Sequence, residues 1–351
     1  MALGYLKTLV RYWREDFDWR AQEQSINRFA HFRADVDGVG LHFIHERGQG
    51  QHPLPIVLTH GFPDSFLRFS KLIPMLTDPV AYGGDPADAF DVVVPSLPGY
   101  GGFSDKPQKA GMLFTIADLW AALMTQRLGY ERFGAHGGDW GSIVTEHLAR
   151  SHSDSLVGIH LTDIPFTHLF QKPKDLSAGE KKFIAESEKW QRKEGAYAMI
   201  QSTMPQSLAY GLTDSPAGLA AWIGEKFRSW SDCRGDVETR FTKDELLTNI
   251  TVYWATETIN SSFWLYYDVA NAGALTWIVE MVKKWTGSSK VPTGFASFPH
   301  DLLPSPREWG ERFFNIQRWT DMPRGGHFAA MEEPELLAED IRAFFRPLRH
   351  T

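Results

Sequence analysis

The stretch Phe133-Gly134-Ala135-His136-Gly137-Gly138-Asp139-Trp140-Gly141 decides how this chain is read. Residues 133–138 read as a short strand ending in glycines, and Ser142 to Arg150 as a helix with Ile143, Val144, His147 and Leu148 on one side. Strand, cramped turn and helix put Asp139 at a helix start, where the dipole and free N–H groups favour its anion. The same letters also suit an ordinary turn with a helix N-cap. As a nucleophile, a carboxylate is weak toward carbonyl carbon. It can instead displace a leaving group from saturated carbon and hold the product as an alkyl ester. Aspartate in such an elbow therefore points to epoxides or carbon–halogen bonds.

Neighbouring segments supply the context of an α/β-hydrolase fold. Pro55 to His60 form an apolar strand-like run followed by Gly61-Phe62-Pro63, with Asp64 and Ser65 expected to cap an amphipathic helix to about Leu76. In this fold one oxyanion-hole N–H comes from such a loop and the other from the residue after the nucleophile, which assigns the Phe62 and Trp140 amides. His60, so close to that loop, reads as structural. Chain order in the fold runs nucleophile, acid, histidine. That order selects His327, in Arg324-Gly325-Gly326-His327-Phe328, between a strand-like run ending at Met322 and a closing helix over 334–346. The same order favours Asp301, after a strand over Val291 to Phe298, as the acid that orients the imidazole. Asp163, at the end of a strand over Leu156 to Leu161, competes for that role. His300 has no assigned chemistry.

Taken together, Gly-Gly-Asp139-Trp-Gly, His60-Gly61-Phe62-Pro63, Gly325-Gly326-His327-Phe328 and the long segment from Gln201 to Ile223 resemble the epoxide hydrolases of the microsomal type. The resemblance extends over nearly the whole chain, including Tyr12-Trp13, Asp18-Trp19-Arg20 and Asn27-Arg28-Phe29, which look like the family's N-terminal segment. It implies two lid tyrosines that hydrogen-bond the epoxide oxygen. Tyr197, in Gly195-Ala196-Tyr197-Ala198, matches the first, and Tyr266, in Phe263-Trp264-Leu265-Tyr266, the second; Tyr267 is the alternative for the second. Opening the ring liberates an alkoxide, a far stronger base than phenolate, so a phenol of pKa about 10 can donate its proton.

The implied reaction takes an apolar epoxide and water to a vicinal diol through an ester on Asp139, hydrolysed by water that His327 activates with Asp301. Haloalkane dehalogenase chemistry is the second reading, because it uses the same three residues and Trp140 matches a halide-binding position. Phe62, however, lacks the polar side chain expected as the other halide donor. A non-catalytic ligand sensor on the same scaffold is a third reading.

Composition narrows the classes further. The 351 residues, 43% of them hydrophobic, suffice for one α/β domain with an inserted lid. A formal charge of −7 offers no basic face to nucleic acid. Cys233 is the only cysteine, which excludes an internal disulfide and suits a cytoplasmic setting. No apolar run reaches the roughly 18 residues of a transmembrane helix, and the start carries no signal-peptide pattern, so no membrane anchor is expected. No cofactor is called for, and no metal-ligand spacing appears. A homo-oligomer is left open.

The expected organisation is an N-terminal segment over 1–31 wrapping core and lid, a first core part over 32–164, a helical lid over 165–287 and a second core part over 288–351. A hairpin turning at Asp37-Gly38 and a strand over Phe90 to Pro95 precede the elbow. Pro98 to Gly102 reads as a flexible turn. Within the lid, Lys172-Pro173-Lys174 and Glu180-Lys181-Lys182 read as a solvated face. Trp190, Trp222, Phe227, Trp230, Trp254, Phe263, Trp264 and Trp277 form mostly lid core, with some walling an apolar pocket.

Overall fold

The computed structural model describes residues 1–107, 112–171, 173–271 and 288–349. Eight strands form one sheet in the order β1-β2-β4-β3-β5-β6-β7-β8. They are β1 (His31–Val36), β2 (Val39–Glu46), β3 (Leu54–Thr59), β4 (Phe90–Pro95), β5 (Phe133–Gly137), β6 (Leu156–Leu161), β7 (Pro292–Ser297) and β8 (Asn315–Asp321). β1 and β2 form the hairpin, with positive φ at both Asp37 and Gly38, the primed turn whose twist matches the strands. β2 also runs antiparallel to β4, and every remaining pair is parallel.

Strands β4, β5 and β6 are buried along their whole length, as expected where helices cover both faces of a parallel sheet. On one face lie α3 (Leu72–Thr77) and, late in the chain, α14 (Ala329–Glu332) and α15 (Pro334–Phe345). On the other lie α4 (Met112–Ala122) and α5 (Trp140–Ser151). α15 sets Ile341, Phe344 and Phe345 into the core, each worth about 1.5–3 kcal/mol when fully buried.

The helix expected from Asp64 to Leu76 is instead divided. A 3₁₀ turn over Phe66–Phe69, capped by the Ser65 hydroxyl accepting the Leu67 N–H at 3.3 Å, is followed by the separate α3. Pro74 lacks the N–H that a continuous helix needs at that point.

After β6 the alternation stops. α6 (Ala178–Glu194), α7 (Ala196–Thr203), α8 (Pro205–Asp214), α9 (Pro216–Trp230), α10 (Lys243–Ala255), α11 (Ile259–Ser262) and α12 (Trp264–Asn271) follow, before α13 (Arg307–Glu311) between β7 and β8. The N-terminal α1 (Leu3–Glu15) packs on α9 and α10, and α2 (Trp19–Ile26) on α10. Residue Trp277, the boundary at 287 and Lys172 lie outside the described residues. The expectation of a solvated face holds for Lys181 and Lys182 but not for Glu180. That carboxylate is 1% exposed, closes a capping box with Ser177, and pairs with Arg312. No described helix is long and apolar enough to cross a membrane.

Candidate active site

Asp139 stands between β5 and α5 with φ 58° and ψ −127°, a conformation that costs a non-glycine residue about 1–3 kcal/mol. The surrounding bonds hold it there. Its N–H donates to Asp163 Oδ1 at 2.7 Å, and the Ser142 hydroxyl donates to Asp163 Oδ2 at 2.8 Å. Gly141 comes so close to the Thr59 carbonyl that a β-carbon would not fit. Gly61 likewise leaves the room that the Asp139 carboxylate occupies. The Phe62 N–H donates to Asp139 Oδ1 at 2.8 Å, and Trp140 opens α5. Of the two amides singled out for the oxyanion hole, that of Phe62 meets the Asp139 carboxylate, and that of Trp140 follows Asp139 directly at the start of α5.

The loop over 60–65 is fixed from several sides. The Phe62–Pro63 peptide is cis. Asp64 accepts the Gly61 N–H at 3.0 Å and pairs with buried Arg68. From α10, Asn249 Nδ2 donates to the Pro63 carbonyl at 2.8 Å and Tyr253 Oη to the Asp64 carbonyl at 2.7 Å. His60 accepts the Leu97 N–H at 3.1 Å through Nε2, which leaves that nitrogen no role as a base.

His327 lies between two carboxylates. Its Nδ1 is 2.7 Å from Asp301 Oδ1, and its Nε2 is 3.4 Å from Asp139 Oδ2, an ion-pair distance without aligned hydrogen-bond geometry. Burial opposes a charge on the ring, but Asp301 and then Asp139 overcome it, and the imidazole is pushed up to about 10. Asp163 makes no hydrogen bond to the histidine. Burial, reinforced by Asp301, pushes its carboxyl up to about 7, and both of its oxygens serve the elbow.

The His327 shift has a consequence for stability. A group protonated more readily in the folded than in the unfolded chain stabilises the fold below its ordinary value of 6.5, and that contribution disappears as pH rises toward about 10. Wild type should therefore unfold at higher denaturant than His327→Gln at pH 6, with the gap closing by pH 10. A gap independent of pH would contradict the charged histidine.

Tyr197 and Tyr266 are buried and meet over Phe62. Their ring centroids are 5.9 Å apart, and they lie 6.3 and 5.5 Å from the Phe62 ring. Tyr266 also stands edge-on to Trp140 at 4.7 Å, whereas Tyr267 is 37% exposed. Burial, followed in Tyr197 by Asp139 and in Tyr266 by the other tyrosine, pushes both phenols well above their ordinary value, so each stays a neutral donor. Of the aromatics expected to belong to a lid, Phe227, Trp230 and Phe263 are buried, Trp190, Trp222 and Trp254 partly so, and Trp264 lies at the surface.

Several residues at the site were not singled out from sequence. Arg68 donates both to Asp64 and to the His327 carbonyl. Glu332 accepts the Phe328 N–H at 3.0 Å and the Asp232 N–H at 2.8 Å, joining the histidine loop to the end of α9. Asp232 in turn accepts the Gly325 N–H and faces His300 at 3.3 Å. Tyr100, in the supposedly flexible turn, is a buried phenol whose hydroxyl has no partner among the described residues. The Phe66-x-Arg68-Phe69 pattern, with a charge among aromatics, was the signal available for Arg68. No described cluster of His, Cys, Asp and Glu could hold a metal ion.

The chain is similar to known proteins in both sequence and fold. Residues 55–218 match the family model described as alpha/beta hydrolase fold, and residues 1–69 match that described as epoxide hydrolase N terminus. The chain is 45% identical over 352 residues to a Stigmatella aurantiaca (strain DW4/3-1) protein that shares the epoxide hydrolase name, covering 99% of this chain and 77% of that one. Epoxide hydrolase 1 of Sus scrofa is 36% identical, over 97% of this chain and 79% of its own length. The structure of Aspergillus niger epoxide hydrolase superposes with a TM-score of 0.83 at 31% identity, over 99% of this chain and 86% of that one. The fold is that of the α/β-hydrolases. The chain belongs to the epoxide hydrolase family, hydrolases that act on an ether bond.

Proposed function

We propose that this chain opens an apolar epoxide in two halves, with Asp139 as nucleophile, Tyr197 and Tyr266 as acids, and His327 with Asp301 as the base of the second half. In the first, an Asp139 oxygen forms a bond to an epoxide carbon as that carbon's bond to the ring oxygen breaks. The electron pair goes to the oxygen, which takes a proton from a phenol. In the second, His327 takes a proton from water, the resulting hydroxide attacks the ester carbonyl, and the Phe62 and Trp140 amides stabilise the oxyanion. Before that attack the imidazolium proton, no longer held by a charged Asp139, passes to the phenolate and restores the phenol. The tetrahedral intermediate then collapses, its bond to the alkyl oxygen breaks, that oxygen leaves as the second diol hydroxyl with the proton His327 took from water, and the new Asp139 carboxyl returns its proton to His327.

The observation that carries this reading is the histidine held between two carboxylates. While Asp139 is charged, His327 is favoured as imidazolium and cannot act as a base. Alkylation turns Asp139 into a neutral ester and removes one of the charges that hold the proton. The base thus becomes available when there is an ester to hydrolyse.

Residues 165–287 are read as a lid over the site, and residues 1–31 as a segment that wraps core and lid. Phe62, Trp140 and Trp230 pack against the phenols and Phe263 against Phe62, apolar surroundings that favour an apolar substrate, with aryl epoxides a natural fit. The indole N–H of Trp140, which has no partner among the described residues, would suit a halide, but the two phenols suit an oxygen that needs a proton.

Tyr197→Phe and Tyr266→Phe should each slow diol formation from styrene-type epoxides by about tenfold, and the double variant by about a thousandfold. Unchanged turnover in both single variants would remove the phenols from the mechanism.

A further inference from the structure

Trp222, Lys226 and Trp230 recur every four residues on α9, so one helix face presents an indole, an ammonium and a second indole. Tyr197, from α7, enters this face. The Lys226 ammonium is 4.8 Å from the centre of the Tyr197 ring, 5.4 Å from that of Trp230 and 5.9 Å from that of Trp222. Lys226 is 4% exposed, and its carboxylate neighbour is Glu225 at 3.4 Å. Burying a lysine is costly unless something replaces its water, and here aromatic faces surround the charge.

The cage is anchored at both ends. Trp222 Nε1 donates to Gln201 Oε1 at 3.2 Å, and Gln201, one turn after Tyr197 on α7, is fully buried. At the other end the Trp230 carbonyl accepts the His327 N–H at 2.8 Å, with its ring 5.4 Å from the imidazole. The ammonium therefore has a defined place against the ring of one phenol, and among the described residues no cation lies over the ring of Tyr266.

We propose that Lys226 is a positioning residue for epoxide opening: it seats the ring of Tyr197 and stabilises the negative charge that ring acquires when its proton moves to the alkoxide. The proposal rests on the reading of Tyr197 as an acid. When the O–H bond of Tyr197 breaks, the electron pair stays on the phenolate oxygen and spreads into the ring. A cation near that ring is attracted to the anion far more than to the neutral phenol, so the interaction grows along the reaction coordinate and lowers the barrier selectively.

The test is a single-turnover comparison of wild type, Lys226→Met, Lys226→Arg and Tyr197→Phe, together with the Tyr197→Phe/Lys226→Met double variant, using styrene oxide. Acid quenching and mass spectrometry of the Asp139 peptide give the rates of ester formation and ester hydrolysis separately. Lys226→Met should slow ester formation about tenfold, leave hydrolysis within about twofold, and be largely rescued by Lys226→Arg. In the Tyr197→Phe background, Lys226→Met should have no further effect on ester formation. Slowing of both steps together, with no rescue by arginine, would mean a packing role only and overturn the proposal. Multiplying effects in the double variant would also overturn it, because Lys226 would then act independently of Tyr197. If Tyr197→Phe alone left ester formation unchanged, the acid itself would be misassigned, and the reading beneath the proposal would fail first.

Discussion

Asp139→Ala loses diol formation by at least about four orders of magnitude and forms no covalent adduct with any epoxide. The reason is local. This carboxylate receives the Phe62 N–H at 2.8 Å and stands 3.4 Å from His327, and no other acid combines those contacts among the described residues. Asp163 is nearby, but both of its oxygens are engaged by the elbow. Repeated turnover of wild type in heavy-oxygen water should deposit label in the Asp139 side chain, because water attacks the ester at that carbonyl. Retention of a tenth of wild-type activity by the alanine variant, or label found only in the diol from the first turnover onward, would place water rather than Asp139 at the epoxide carbon.

His327→Gln fails at the other half of the cycle. On the proposed mechanism, ester formation needs Asp139 and the phenols, all of which the variant keeps, whereas ester hydrolysis needs a base. The expected outcome is stoichiometric accumulation of an Asp139 adduct heavier by the mass of the epoxide, with steady-state turnover lower by about 10³ to 10⁴. Asp301 would remain in place but with no imidazole to orient. Failure to trap the adduct while turnover is lost would show that the histidine is needed before alkylation. The charge it contributes beside Asp139 would then be its main function.

Much of the framework was legible because it rests on local rules. Apolar runs between turn residues delimited β3, β4, β5 and β6, and Asp37-Gly38 announced the hairpin. The glycine-flanked Asp139 and the late Gly-Gly-His327 stood out because cramped turns demand particular residues. What failed to show was decided by tertiary contact. Asp163 and Asp301 both follow strands and look alike in sequence. They differ because the β7 exit loop brings one within 2.7 Å of His327, while the β6 exit directs the other at the amide of Asp139. Glu180 sits in a run of charges that periodicity assigns to solvent, and its burial depends on Arg312, far along the chain. The break after Phe69 was available in Pro74 but was outweighed by the apolar pattern around it. Which tryptophans turn inward depends on how α7 and α9 cross, and a period of four on α9 alone cannot reveal its partner.

The end of α9 is bolted to the loop that carries His327: the Trp230 carbonyl takes the His327 amide, Asp232 takes that of Gly325, and Glu332 ties both sides together. On the proposed reading of residues 165–287 as a lid, these bonds tie it to the histidine loop at 230–232. Substitutions at 230–232 are therefore expected to disturb ester hydrolysis through His327, and those on α6 and α8 to spare it.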